Sequence, residues 1–241
     1  MLRNVWFYFW LALTTPIFTV IAWLFSWEDS GRGATWCAKY WSAILLWSAG
    51  VEIEVDFSAI PENDEPLIFM CNHQSQLDIL VLYNRLNRFK PLFVAKESLF
   101  HFPVFGVAMR SAHHIPIDRS NRRKAMKSIQ MAVEAVERGR NIIIYPEGSR
   151  TTDPETMLPF KIGGVVMALK CRRPVVPIVM TGTYEILPKG KLGFPPGKKL
   201  VRARALPPVD VQANYTLKDR ERFKDDLFAL MSDAYTELRH G

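Results

Sequence analysis

The residues from Val5 to Trp27 form a stretch without a charged side chain, and this stretch constrains the fold more than any other part of the sequence. As a helix it would be about 34 Å long, close to the thickness of the hydrocarbon core of a bilayer. Aromatic residues lie at both of its ends, where their rings favour the membrane interface. A buried core helix is the alternative interpretation, but the length and the aromatic flanks favour contact with a membrane.

A second apolar stretch, residues 35–50, follows a short polar break that contains glycine. It is short and carries Lys39, which favours a return within one leaflet over a full crossing. Pro16 predicts a bend in the first helix. We therefore predict a two-helix membrane anchor over residues 1–50, followed by a single domain over residues 51–241.

After this hairpin the sequence alternates between strand and helix patterns, which is typical of an α/β domain. Apolar and acidic residues alternate over positions 51–57 and predict a half-buried strand at a sheet edge. The apolar runs at 67–71 and 141–145 predict central strands, whereas the similar run at 174–180 is broken by Pro177. We predict a mixed, partly parallel sheet flanked by helices.

Two helices are marked by their end signals. Ser120 is predicted to cap the first helix and Gly139 to end it. Its predicted buried residues recur at helical spacing: Met126, Ile129, Val133 and Val136. The second helix starts with a capping-box pattern, Thr216-x-x-Asp219. Its predicted buried residues are Phe223, Leu227, Leu230, Ala234 and Leu238.

The strongest chemical pattern, Asn72-His73-Gln74-Ser75-Gln76-Leu77-Asp78, directly follows a predicted strand. Five positions on a regular helix turn through about 500°, so His73 and Asp78 meet only if His73 lies in the loop and Asp78 in the first helical turns. Ser75 is placed to cap that helix. A carboxylate bonded to one imidazole nitrogen makes the other nitrogen a better base. The pattern therefore predicts a general base, with a surface histidine beside a capping aspartate as the alternative.

Two further loops offer groups that bind anions. The loop from Tyr145 to Thr151 also follows a predicted strand. In it, Gly148 lets the backbone approach a ligand, Glu147 accepts from hydroxyls, and Arg150 offers a forked donor for phosphate. An arginine-rich turn, residues 115–123, precedes a helix N terminus. Taken singly, each loop is more often a solvated surface than a site.

In this order, the motifs resemble those of the lysophosphatidic acid acyltransferases in the glycerolipid acyltransferase family. The resemblance spans about Leu67 to Pro188, and the two-helix N terminus is similar to the membrane motif of bacterial members. The family's blocks correspond to Asn72-His73-x4-Asp78, Ile115–Arg119, Pro146–Arg150 and Val176–Ile178. Tyr145, where phenylalanine is commoner, and the His113-His114 pair depart from the pattern.

The resemblance implies transfer of an acyl chain from acyl-CoA or acyl carrier protein to the free hydroxyl of lysophosphatidic acid. The product would be phosphatidic acid, and no metal or cofactor beyond the thioester would be needed. His73 would be the base and Asp78 its orienting partner. The residues implied for substrate binding are Lys96, Arg119, Glu147, Gly148, Ser149 and Arg150. Glycerol-3-phosphate or another lysophospholipid is the alternative acceptor, and the implied location is the cytosolic face of a bacterial inner membrane.

The net charge and the basic residues restrict the class of binding partner only partly. The net charge of +7 suits anionic lipid, nucleic acid or a phosphate-bearing cofactor. The basic run from Lys189 to Arg204 contains one aromatic residue, Phe194, so a stacking platform for nucleic acid is not expected. A non-enzymatic binder of anionic lipid stays open. A metal-dependent hydrolase that uses His73, Asp78 and the His113-His114 pair is another alternative, although no H-E-x-x-H spacing supports it.

Overall fold

The computed structural model describes residues 2–26, 32–118, 120–197 and 199–241. The α-helices are α1 Leu2–Leu24, α2 Arg32–Ser48, α3 Leu77–Arg85, α4 Phe105–Ser111, α5 Arg122–Glu137, α6 Ile162–Cys171, α7 Thr183–Ile186, α8 Val211–Asn214 and α9 Arg220–His240. The strands are β1 Glu52–Asp56, β2 Ile68–Cys71, β3 Leu92–Lys96, β4 Ile115–Ile117, β5 Ile142–Ile144, β6 Val175–Thr181 and β7 Leu200–Ala205. Short 3₁₀ helices lie at Asn87–Phe89, Glu97–His101 and Leu217–Asp219.

The chain divides into two compact units. The first unit comprises Met1–Val51 and Ile79–Ser128, and the second comprises Glu52–Asp78 and Ile129–Gly241. The predicted division into an anchor over residues 1–50 and a domain over residues 51–241 stays a prediction.

The first unit contains the predicted helical hairpin. Trp47 near the end of α2 packs against Trp6 and Trp10 near the start of α1, with ring centroids 5.8 Å apart in both pairs. Towards the other end, the Trp41 indole donates to the Thr15 hydroxyl at 3.2 Å. The late residues of α2 thus meet the early residues of α1, so the two helices run antiparallel. The residues that join them, 27–31, lie outside the described part of the chain.

Helix α1 keeps most of its apolar surface exposed. It is long and apolar enough to cross a membrane by length and composition, and 22% of its apolar window is buried. Its exposed large side chains are Leu2, Val5, Trp6, Tyr8, Phe9, Leu13, Ile17, Val20, Trp23 and Leu24. A helix that is apolar on its exposed face needs a partner other than water. The pattern differs from that of a core helix, the alternative considered from the sequence.

The remainder of the first unit is held by β3 and β4, which pair in parallel with Val94 opposite Ile115. His114 is buried beside this pair. Its Nδ1 accepts from the Phe93 backbone N–H at 3.1 Å, and its Nε2 is hydrogen-bonded to the Tyr83 hydroxyl. One member of the unusual histidine pair therefore has a packing role, while His113 is exposed in the left-handed region at φ 58°.

The second unit contains a sheet whose strands lie in the order β1-β7-β6-β2-β5. β5, β2 and β6 are mutually parallel, β7 is antiparallel to β6, and β1 is parallel to β7. β2, β5 and β6 are buried along their whole length, as continuous apolar runs require. The prediction of a mixed, partly parallel sheet flanked by helices is confirmed. β1 lies at the edge as predicted, but Val55 in it is 36% exposed.

Pro177 does not interrupt β6, and the prediction that it breaks this strand is wrong. The strand runs through it, with Pro177 opposite Met70 of β2. The Pro177 carbonyl accepts from the Leu206 N–H at 2.8 Å, just past the end of β7. The carbonyl and nitrogen of one strand residue face the same neighbour, so the missing N–H faces the end of β7 and costs the β2 ladder no donor.

Helix α5 begins one residue later than predicted. The cap is Asn121, whose side-chain oxygen accepts from the Lys124 N–H at 3.1 Å, because the Ser120 hydroxyl is bonded to Asp118. Gly139 ends the helix as predicted, in the left-handed region at φ 77°. Among the predicted core residues, Ile129 and Val136 are buried and Val133 is partly buried, whereas Met126 is 45% exposed.

The predicted capping box is present, with the Thr216 N–H donating to the Asp219 carboxylate at 2.9 Å, and it caps the 3₁₀ helix Leu217–Asp219 that leads into α9. The buried face of α9 is rotated from the prediction, because Leu230 is 41% exposed and Leu238 is only partly buried. The buried residues are Phe223, Leu227, Met231, Ala234 and Tyr235. Tyr235 is polar at its tip and was not predicted to lie in the core.

Gly182, between β6 and α7, is predicted to tolerate no side chain. Its φ is +91°, and a Cβ there would lie 2.1 Å from the carbonyl oxygen of Leu200. Gly182→Ala should therefore lower the free energy of unfolding by about 3 kcal/mol or more. Gly190→Ala is the matched control, because Gly190 has φ +80° with open space around its Cβ position and should lose about 1 kcal/mol. Urea unfolding of both variants in detergent measures the difference, and equal losses would contradict the steric explanation.

Candidate active site

The loop after β2 is fastened to β6 by Asn72. Its side-chain oxygen accepts from the Met180 N–H at 2.7 Å, and its amide donates to the Met180 carbonyl at 2.9 Å. The side chain thus pairs with the backbone of β6 where β2 has ended. This anchor fixes the position from which the next residue, His73, leaves the sheet.

His73 lies in the loop and Asp78 in the first turn of α3, the arrangement that their spacing requires. The His73 Nδ1 and Asp78 Oδ2 atoms are 2.7 Å apart. The same oxygen accepts from the N–H groups of Gln74 at 2.7 Å and Ser75 at 2.9 Å. The other carboxylate oxygen accepts from the Thr183 hydroxyl. Asp78 is fully buried, so these donors replace the water that its negative charge would otherwise bind.

The imidazole of His73 is oriented from several directions. Because Nδ1 faces a carboxylate, the hydrogen-bond pattern assigns the ring proton to Nδ1 and leaves Nε2 as an acceptor. The side chain is 15% exposed, and the ring stacks on Tyr145 with centroids 3.9 Å apart. The His73 carbonyl accepts from the Thr151 N–H at 2.9 Å. The ring is thereby held in one orientation and one tautomer with limited access to solvent.

Glu147 holds the backbone of the same loop through hydrogen bonds. Its Oε1 accepts from the His73 N–H at 2.6 Å, and its Oε2 accepts from the Leu158 N–H at 2.9 Å. Only 1% of the residue is exposed. Burial raises the pKa of Glu147 to about 8, although the two backbone N–H groups act in the opposite direction. Both oxygens are therefore engaged by backbone, and its geometry is that of a residue that positions His73.

The turn at Gly148 to Arg150 presents a cation. Gly148 has φ +73°, which turns the chain sharply after Glu147. Ser149 is exposed and Arg150 is partly buried. Within the described residues, the Arg150 guanidinium has no hydrogen bond or ion pair, whereas the backbone carbonyl of Arg150 accepts from the Lys189 ammonium at 2.9 Å. The forked donor predicted for phosphate is thus available to a ligand.

The other two predicted binding residues are Lys96, which belongs to the first unit, and Arg119. Lys96 is exposed at the end of β3, in the first unit. Arg119 lies outside the described residues.

Ser75 and Cys71 lie close to His73 in sequence and are therefore possible nucleophiles. Ser75 donates to the Leu187 carbonyl at 2.7 Å and accepts from the Leu77 N–H, as the predicted cap of α3. Burial raises the pKa of the Cys71 thiol well above its usual value, which disfavours the thiolate, the form that would act as a nucleophile.

Sequence reasoning missed Thr183, which lies 105 positions from the Asp78 that it binds. It also missed Tyr235, whose hydroxyl accepts from the Gln74 amide. Neither residue belongs to a recognisable local pattern, and their roles arise from chain packing. Among the described residues, no group of three or more His, Cys, Asp or Glu side chains could hold a metal ion.

Residues 52–181 match the acyltransferase family model. This range includes the His73–Asp78 pair and the Gly148–Arg150 turn. The chain belongs to the acyltransferase family. The match covers strands β1 to β6 in full and ends at the last residue of β6.

Similar proteins include several acyltransferases, in agreement with this family membership. The chain is 33% identical over 157 residues to a chloroplastic 1-acyl-sn-glycerol-3-phosphate acyltransferase of Brassica napus. The aligned region covers 65% of this chain and 45% of that protein. The chain is 31% identical over 194 residues to a 1-acyl-sn-glycerol-3-phosphate acyltransferase of Limnanthes douglasii, covering 80% of this chain and 65% of that one. The chain spans about half the length of the curated relatives that it matches.

A solved structure shares the fold. The crystal structure of the 1-acyl-sn-glycerophosphate (LPA) acyltransferase from Thermotoga maritima has a TM-score of 0.83 to this structure. The alignment covers 100% of this chain and 96% of that chain at 24% identity. This likeness extends to the mixed sheet and the N-terminal apolar helix.

The raised pKa of Glu147 predicts a pH dependence of folding stability. An unfolded glutamate releases its proton near pH 4.5, whereas the folded protein keeps it up to about pH 8. Between these values the folded state binds more protons than the unfolded state, so the free energy of unfolding should fall as the pH rises. In Glu147→Gln this fall should be smaller, because the titrating group is gone.

Urea unfolding at pH 5, 6, 7 and 8 measures the slope. Glu52→Gln, at an exposed carboxylate in β1, is the control and should keep the wild-type slope. Glu147→Gln should also be less stable than the wild type at pH 5, because one backbone N–H loses its acceptor. A Glu147→Gln slope equal to that of the wild type would show that Glu147 does not titrate in this range.

Proposed function

We propose that the protein is a 1-acylglycerol-3-phosphate O-acyltransferase. It transfers an acyl chain from acyl-CoA or acyl carrier protein to the free hydroxyl of lysophosphatidic acid and forms phosphatidic acid for phospholipid synthesis. The names of its relatives, 1-acyl-sn-glycerol-3-phosphate acyltransferases, support this reaction class. The observation that carries the proposal is the 2.7 Å contact between His73 Nδ1 and the fully buried Asp78, which leaves Nε2 as an acceptor.

The proposed mechanism is a direct transfer with His73 as general base. As the acceptor hydroxyl oxygen attacks the thioester carbonyl carbon, Nε2 of His73 takes the hydroxyl proton. The tetrahedral intermediate then collapses, the carbon–sulfur bond breaks, and the leaving thiolate takes that proton from the imidazolium. Asp78 holds the required tautomer and stabilises the imidazolium charge between the two steps. A thioester is already activated, so no covalent enzyme intermediate is needed.

In this proposal, the remaining residues of the site position groups and bind phosphate. Glu147 holds the backbone of His73 with one carboxylate oxygen, so its contribution is to the placement of the base. Gly148 and Ser149 form the exposed turn that carries Arg150. The planar guanidinium of Arg150 would bind the acceptor's phosphate in a bidentate manner. Arg119 and Lys96 are further proposed phosphate ligands, on the strength of the motif resemblance.

We further propose that the helical hairpin binds the cytosolic face of a bacterial inner membrane. Acyl thioesters are made in the cytosol, whereas the lysolipid acceptor resides in the bilayer, so the reaction belongs at headgroup depth. The exposed apolar side chains of α1 offer a large surface to hydrocarbon. Trp23 and Trp47, both more than half exposed, suit the interface between acyl chains and headgroups.

His73→Ala should lower turnover at least about 10³-fold in a protein that still folds. Its thermal unfolding midpoint should fall somewhat, because the buried Asp78 carboxylate loses one donor. Asp78→Asn should lower turnover as well, because an amide favours the wrong tautomer. The assay uses purified protein in detergent with labelled oleoyl-CoA and oleoyl carrier protein. Its acceptors are lysophosphatidic acid, glycerol-3-phosphate and lysophosphatidylcholine.

His101→Ala, at an exposed histidine, serves as the control and should keep wild-type turnover. His73→Ala turnover within about tenfold of the wild type would refute the general-base mechanism. Transfer to glycerol-3-phosphate or lysophosphatidylcholine in preference to lysophosphatidic acid would replace the proposed acceptor. Absence of transfer to every acceptor from either donor would refute the function itself.

The proposed topology predicts where single cysteines are accessible. In variants that lack Cys37, Cys71 and Cys171, Leu2→Cys and Ser58→Cys should resist a membrane-impermeant maleimide in intact bacterial cells. Both should react after permeabilisation, since Leu2 and Ser58 are exposed in the structure. Labelling of Ser58→Cys in intact cells would place the second unit outside the cell and overturn the proposed location.

A further inference from the structure

The segment Thr183–Lys189, which follows β6, contacts both motifs of the candidate site. Thr183 donates to Asp78, and the Leu187 carbonyl accepts from the Ser75 hydroxyl at 2.7 Å. On the other side, the Tyr184 hydroxyl donates to the Thr152 carbonyl at 2.9 Å. The segment therefore joins the loop that carries the base to the loop that carries Arg150, and its last residue is a lysine.

Lys189 extends over the exposed turn that follows Glu147. Its ammonium donates to the Ser149 hydroxyl at 3.0 Å and to the Arg150 carbonyl at 2.9 Å. An ammonium group has three donors, so these two bonds leave one N–H for a ligand. The ammonium is consequently fixed beside the residue whose guanidinium is available.

The charges around this turn are not balanced within the described residues. Several cations of the second unit are paired with carboxylates: Arg202 with Glu54, Arg204 with Glu237, Lys224 with Glu221, and Arg239 with Glu155 and Glu185. Lys189 and Arg150 form no such pair within the part of the chain that the structure describes. Two adjacent cations without a carboxylate create a positive potential that an anion would relieve.

We propose that Lys189 is a second cationic ligand, beside Arg150, for a phosphate group of the substrate. The inference rests on the proposed acyl transfer and identifies a residue that none of the motif blocks contains. Lysine provides a point charge at the turn, whereas Arg150 provides the planar fork. The phosphate belongs either to the lysolipid acceptor or to the donor, and both sources carry the same chemistry.

Direct binding tests the proposal without requiring turnover. Calorimetry on the purified full chain in detergent would use three ligands: a hexanoyl lysophosphatidic acid, its dephosphorylated monohexanoylglycerol counterpart, and coenzyme A. Lys189→Gln keeps a hydrogen-bond donor but removes the charge, and Lys189→Arg keeps the charge. Lys191→Gln, in the same exposed loop and without a bond to the Ser149–Arg150 turn, is the matched control.

Lys189→Gln should weaken binding of one phosphate-bearing ligand about tenfold, the low end expected for a hydrogen bond to a charged group at an exposed site. Lys189→Arg should retain most of the affinity, Lys191→Gln all of it, and binding of monohexanoylglycerol should not change. Weaker binding of hexanoyl lysophosphatidic acid alone assigns the phosphate to the acceptor. Weaker binding of coenzyme A alone assigns it to the donor.

Three outcomes would overturn the proposal. These are unchanged affinity of Lys189→Gln for both phosphate-bearing ligands, an equal loss for monohexanoylglycerol, and no binding of either phosphate-bearing ligand by the wild type. An equal loss would mean that Lys189 only tethers the turn. Failure of the proposed function is seen separately, as absence of acyl transfer by a wild-type protein that still binds phosphate through Lys189.

Discussion

The buried carboxylate of Asp78 is the constraint on which the rest of the candidate site depends. A fully buried negative charge is stable in a protein only when donors replace the lost water. Here those donors are the His73 ring, the N–H groups of Gln74 and Ser75, and the Thr183 hydroxyl. The requirement forces the loop before α3 to fold back over the first helical turn. The orientation of His73 follows from satisfying Asp78.

A second buried acidic side chain, Glu147, holds the backbone of the same loop. It accepts from the backbone of His73 and from the backbone of Leu158. Together, Asp78 and Glu147 hold the ring and the backbone of one histidine. Burying an ionised Asp78 and raising the pKa of Glu147 to about 8 both cost stability, and such a cost persists mainly where the geometry serves a function. Both buried acidic groups lie beside the residue proposed to move a proton.

The two units distribute their apolar residues in opposite ways. In the second unit, β2, β5 and β6 bury every residue, so the strands supply a stable platform at whose end the site is built. In the first unit, α1 and α2 pack aromatic rings against each other yet leave much apolar surface exposed. The hydrophobic effect in water accounts for the first pattern. The second is favourable only in contact with another apolar phase, which is why a membrane enters the proposed function.

Much of the fold follows from sequence patterns, because these depend on local chemistry. The continuous apolar runs predict β2 and β5, the capping box predicts the 3₁₀ turn that leads into α9, and Gly139 predicts the end of α5. Predictions failed where a residue had a partner that the local pattern did not indicate, whether that partner was near or distant in sequence. Ser120 is bonded to Asp118, so Asn121 caps the helix in its place. Pro177 continues β6 because its missing N–H faces the end of β7, a neighbour that the local sequence does not reveal.

The sequence by itself determined the local arrangement of the candidate base, with His73 in a loop and Asp78 at the start of a helix. Five-residue spacing and a capping serine are sufficient for that, since both act within two turns of backbone. Only the tertiary structure decided what completes the site. Thr183 reaches Asp78 across 105 positions, and Lys189 reaches Arg150 across 39. Contacts at such separations depend on the order and direction of the strands in the sheet, which arise from packing the whole chain and leave no periodic signal in it.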